Sequence, residues 1–167
     1  MFNTTETTKD IYFFGAHGHN GFLSNFFPIM FYINNIEFSC SEQAFMYYKC
    51  LFFEPENKRL LYSILQQSEP RKVKLLGRKV RNFDDVKWNE VKYDIMVKCV
   101  RAKFQCNEKY KQLLINTAPG KLYEASPYDK IWGIGLSMSQ AKRVKSDKYG
   151  ENLLGKVLEQ VRSELCQ

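Results

Sequence analysis

The sequence predicts an α+β domain, mostly helical and built around a small β-sheet. Stretches with helical apolar spacing outnumber strand-like runs, and those runs do not alternate with helices as a doubly wound sheet requires. The chain has 167 residues with 44% hydrophobic and 15% aromatic content, enough for one core and too little for two ordinary domains. Residues 1–10, polar and mixed in charge, read as a flexible N-terminus, and residues 11–167 as a single domain.

In chain order, Ile11 to Phe14 form a short buried-strand run that enters a Gly-studded turn. Ile29 to Ile33 and Ile36 to Phe38 flank Asn34-Asn35, whose tolerance of positive φ marks a β-hairpin. Ser39 opens an S-x-x-E pattern ending at Glu42, and Phe45, Met46, Tyr48 and Leu51 continue at helical spacing, so a helix is expected over about 40–52. A short helix follows near 57–66. Ser68-Glu69-Pro70 opens a basic helix that stops near Gly77. Asp84-Asp85 starts the longest helix, with Val91, Ile95, Met96, Cys99, Val100 and Phe104 on one stripe and Lys87, Lys92, Lys98 and Arg101 mostly off it. Asn107 caps a helix to about Leu114, Lys121 to Ala125 resembles a strand, and residues 126–135 form a loop. The last helix starts near Glu151.

Lys and Arg number 25 against 18 Asp and Glu, a net charge of +7, which favours phosphorylated or nucleic-acid partners. No apolar run approaches the roughly 20 residues of a bilayer span, and the N-terminus lacks the order of a secretory signal. A cytoplasmic location away from membranes is expected. Five widely spaced cysteines suggest neither a disulfide framework nor a zinc site and read as buried or half-buried small residues. His17 and His19 lack a third ligand nearby, and no metal or cofactor is expected. Phosphate-loop, dinucleotide-fold, zincin and serine-hydrolase motifs are missing from the sequence.

Two carboxylates stand out. Glu42 is either the partner of Ser39 in a capping box or an acid whose pKa its apolar neighbours raise. Asp129, in EASPYDKIWGIGL, is either a turn former beside a core Trp or a site residue in a loop where glycines admit a ligand and Trp132 offers a stacking face. Glu124 either points into the same cleft or into solvent. Two acids at one pocket suit glycosidic hydrolysis, where one protonates the leaving group and the other steadies an oxocarbenium-like sugar. Phe22 and Tyr48 are further stacking candidates. The run Arg71 to Arg81 has six basic residues in eleven and reads as a solvated face, like Lys142, Arg143, Lys145 and Lys148. Gly77-Arg78 suggests phosphate binding, and Lys49 falls on the Glu42 face of its helix.

GFLSNFFP, SEQAFMYYK, GRKVR followed by Trp88, LYEASPYDKIWGIGL and GENLLGKVLEQVR, in this order, resemble the YbiA-like or NADAR family from about residue 11 to 165. The resemblance implies an N-glycoside hydrolase. Its substrates would be riboflavin-pathway intermediates bearing a ribose phosphate, or ADP-ribose attached to guanine in nucleic acid. It implies Glu42 and Asp129 as catalytic groups. Trp132, Phe22, Asn25, Tyr48, Lys49, Arg78, Glu124 and Gly133 would bind substrate. Gln43-Ala44 follow the Glu where many relatives carry His and an aromatic residue, so the substrate does not carry over. The alternative from a different class is a non-catalytic module that binds ADP-ribose or nucleic acid.

Overall fold

The structure, a computed structural model, describes residues 9–167. The N-terminal residues 1–8, most of the segment expected to be flexible, lie outside the described residues. Strand β1 (Ile11–Phe13) pairs in parallel with β4 (Leu122–Glu124), with Ile11 opposite Leu122 and Phe13 opposite Glu124. β2 (Phe31–Ile33) and β3 (Ile36–Phe38) form an antiparallel hairpin whose turn residues Asn34 and Asn35 take φ of 51° and 64°. The expected small sheet is therefore two separate two-stranded ladders.

The helices are α1 (Ser41–Phe53), α2 (Lys58–Gln66), α3 (Pro70–Gly77), α4 (Asp85–Gln105), α5 (Glu108–Ile115), α6 (Met138–Ala141) and α7 (Leu153–Leu165). Their ends follow local chemistry. The Asn57, Asp84 and Asn107 side chains accept from the amides of Leu60, Lys87 and Tyr110, and Pro70 fills the first turn of α3, where an amide donor is dispensable. The short α6 and a 3₁₀ turn at Ser146–Lys148 fall where no element was expected. No helix among the described residues is long and apolar enough to cross a membrane.

α1 packs against α2, α3 and α4, while α7 lies across α4 and β4. Phe13, Phe31, Phe38, Phe104, Leu122 and Leu154 form the closed centre. Lys92, expected with the group mostly off the stripe, is buried, and its ammonium donates to Asn89 Oδ1. All five cysteines are free. Cys40, Cys50 and Cys99 are buried, but Cys106 and Cys166, the C-cap residues of α4 and α7, are exposed.

Where α7 begins, its backbone presses on β4. A Cβ at Gly155 would stand 2.0 Å from the Leu122 carbonyl oxygen and 2.3 Å from the Asn152 amide nitrogen. Since the first of these is backbone, neither side can give way cheaply. Gly155→Ala is expected to lower stability by about 1–3 kcal/mol, read as a lower denaturation midpoint at unchanged slope.

Candidate active site

The cavity is assembled around the first turns of α1 from segments far apart in the chain. Glu42, Phe45, Met46 and Lys49, at positions i, i+3, i+4 and i+7, present one face of α1 to it. Arg71, Lys74 and Arg78 line it from α3 and its C-cap. Ser24 and Asn25 close one end, and Glu124, Asp129 and Trp132 come from β4 and the loop after it. Its volume is about 580 Å³, within the range of small-molecule sites.

The helix start at α1 is real, but its cap differs from the capping-box reading of Glu42. The Ser39 amide and hydroxyl donate to Gln43 Oε1 at 2.7 and 3.1 Å, and Gln43 Nε2 donates to the carbonyls of Ile64, Leu65 and Gln67 at the end of α2. Gln43 thus ties two helices together away from the cavity. The departure from the family pattern at this position removes no group from the cavity wall of this chain. Glu42 is left free to face the cavity. Its amide donates to the Asn25 carbonyl at 3.0 Å, and among the described residues its carboxyl makes no hydrogen bond.

With only 6% of its surface exposed, the Glu42 carboxyl is pushed up to about 7, chiefly by burial. The Asp129 charge adds to this, while Lys74 and Lys49 oppose it. Glu124 is likewise raised to about 7, by burial first and then by the charges of Asp129 and Glu42, with Lys74 opposing. Lys49 donates to the Gly77 carbonyl at 3.2 Å and lies 4.6 Å from the centre of the Phe83 ring; burial lowers its pKa, and Glu42 draws it back.

Asp129 fills both roles open to it in the sequence. Its Oδ1 accepts from the amides of Ile131 and Trp132 at 2.9 and 2.8 Å, which builds the turn, and the residue also lines the cavity. Trp132 meets Phe45 edge-on at 5.1 Å, and Phe45 leans on Trp88 at 5.3 Å, an aromatic floor beneath the acids. The loop is stapled to the start of α7, where the amides of Glu151, Asn152, Leu153 and Leu154 donate to the carbonyls of Lys130, Gly133, Ile131 and Trp132. Asn152, in left-handed backbone at φ 52°, bridges the Glu124 amide and the Leu122 carbonyl.

Three expected contact residues sit elsewhere. Phe22 is in the core, packed on Phe104 and Tyr110, because the 3₁₀ turn that carries it, Gly21–Leu23, faces α4 and α5. Tyr48, on the flank of α1, packs against Phe38 and Tyr47 under the Lys98 ammonium. Gly133 lies behind the wall; a Cβ there would meet the Glu124 carbonyl oxygen at 2.8 Å, so its part is close backbone packing. In the other direction, Arg71 and Lys74 belong to the basic run expected to be a solvated face; they are exposed, and they also line the cavity. Their i, i+3, i+7 spacing with Arg78 was the available signal. Among the described residues, no three His, Cys, Asp or Glu side chains converge so as to hold a metal ion.

The same fold and chain span recur in known proteins. The chain is 39% identical over 168 residues to "N-glycosidase R617" of Acanthamoeba polyphaga mimivirus, covering 95% of this chain and 98% of that one. It is 29% identical over 157 residues to "Riboflavin biosynthesis protein VVA0006" of Vibrio vulnificus, of which it spans 39%. The NMR structure of the E. coli protein YbiA superposes with a TM-score of 0.76 at 27% identity, covering 95% of this chain and 86% of that one. The NADAR domain matches residues 12–166, a span that takes in every segment contributing to the cavity, and this chain belongs to the NADAR family.

Proposed function

We propose that this chain is an N-glycoside hydrolase cleaving the bond between a phosphorylated ribose or ADP-ribose and a nitrogenous base. The observation that carries this reading is a buried, hydrogen-bond-free carboxyl, Glu42, facing a cavity beside Asp129 and beneath a row of cations. Near neutral pH such a carboxyl holds a proton for a large part of the time and can deliver it to the departing base nitrogen. As the bond between C1′ and the base lengthens, positive charge gathers on the sugar, and the Asp129 carboxylate stands ready to steady it. Water then adds to C1′, its oxygen forming the new bond. The proton it sheds goes to Glu124 or returns to Glu42, so the products are the free base and the sugar hydroxyl. Trp132 and Phe45 offer a flat apolar wall, while Arg71, Lys74, Arg78 and Lys49 suit phosphate. The name of the mimiviral relative supports the reaction class, that of the Vibrio relative fits a riboflavin-pathway substrate, and neither fixes the base.

Purified protein incubated with a riboflavin-pathway ribosylamine phosphate and, separately, with an ADP-ribosylated guanine oligonucleotide should release free base from at least one, detected by mass. A protein that binds these compounds for hours and releases none is the binding module instead. The pH profile is a second check. Because the acid must be protonated, kcat/KM should fall as pH rises through about 7, where the Glu42 and Glu124 pair loses its proton. A profile flat from pH 6 to 9 would contradict the assignment.

A further inference from the structure

Lys103, on α4, is buried to 1% exposure and does not line the cavity. Its ammonium donates to the Ser24 carbonyl at 2.8 Å and lies 5.0 Å from the centre of the Phe104 ring and 5.7 Å from that of Phe27. It joins no ion pair among the described residues. The titratable groups facing it are the thiols of Cys40, which precedes α1, and Cys106, which ends α4. Burial pushes the Lys103 pKa down to about 7, the mark of a cation that has no acid partner and opposes folding in its charged form, and an apolar side chain of similar length would fit there at less cost.

What the ammonium holds is the end wall of the cavity. Ser24 and Asn25 both line it, and the Asn25 carbonyl receives the Glu42 amide at the start of α1. The Asn25 side chain is itself under-satisfied. Its Nδ2 points at the Met96 sulfur at 3.4 Å, an atom that can accept but not donate, so the amide is oriented with its oxygen away from the sulfur, and that oxygen is buried with no partner. A turn carrying an unpaired acceptor gains by swinging toward water. The Lys103 bond to the adjacent carbonyl opposes that swing.

We infer that Lys103 is a positioning residue for the reaction, holding the Ser24–Asn25 wall in place and, through the Asn25 carbonyl, the first turn of α1 that carries Glu42. This rests on the function proposed above, but one of its readouts needs no turnover. In Lys103→Met, exchange of the Glu42 amide should speed about tenfold or more, while the Lys156 amide, bonded to the Asn152 carbonyl in the first turn of α7, stays as in the wild type. The variant should melt at or above the wild-type temperature. With substrate, kcat/KM should fall by about tenfold or more, and Lys103→Arg, which restores a donor, should recover much of it. Wild-type exchange at Glu42 in a folded Lys103→Met, or activity lost only in proportion to unfolded protein, would overturn the inference. Should the Met variant not fold, Lys103→Gln, a shorter neutral donor, is read by the same exchange experiment. Unchanged exchange there, with the Ser24 bond weakened, overturns it equally.

Discussion

Glu42→Gln should lower single-turnover release of base by about 10²-fold or more while leaving the fold intact. The amide matches the carboxyl in size and makes no new demand on the start of α1, where Gln43, not Glu42, receives the Ser39 amide and hydroxyl. What it removes is the proton. The same change should raise stability, and the sign follows from the proton balance. Folding lifts the Glu42 pKa from 4.5 to about 7, so between those values the folded chain binds more protons than the unfolded one. Stability therefore declines as pH rises through that window and stays lower above it. A side chain that never ionises escapes the decline. At pH 8 the variant should be more stable than wild type, on the order of 3 kcal/mol, with the gap closing toward pH 4.5. Wild-type activity within threefold in the folded variant would remove Glu42 from the mechanism.

Asp129→Asn should cost a comparable factor, about 10²-fold or more in kcat. The design of the substitution matters because Asp129 also builds its turn. Asparagine keeps an Oδ1 to accept from the Ile131 and Trp132 amides, so the loop and Trp132 stay in place and only the charge is lost. Alanine would confound the two effects. The Asp129 charge raises both Glu42 and Glu124, so its removal should also move the alkaline limb of the pH profile to lower pH. A variant with unchanged kcat and an unshifted profile would show that Asp129 is a turn residue and nothing more.

Much of the local architecture was legible in the residues. Asn34-Asn35, Pro70, Asp84 and Asn107 each act on the backbone within a few positions of themselves, so the hairpin and helix boundaries follow from short-range chemistry. The resemblance to a known family pointed to Glu42 and Asp129, and the structure brings both to one cavity. Phe22 and Tyr48 went the other way because an aromatic residue has the same signature whether it packs in a core or faces a ligand. The face it occupies depends on which helix lies opposite. Lys74 and Arg71 show the converse. A basic run has the periodicity of a solvated surface, and only the packing of α3 onto α1 turns one edge of it over an acid.

The helix-rich class, the punctuation of its elements and the residue types capable of the chemistry follow from the order of residues alone, since they depend on interactions between near neighbours along the chain. Tertiary structure alone decided that Ile11 pairs with Leu122, that Gln43 rather than Glu42 completes the α1 start, and that Lys103 is buried beneath the cavity wall. It also set the protonation of Glu42, because the cost of a charge depends on how much water remains around it, and that is fixed only when distant segments close over the group.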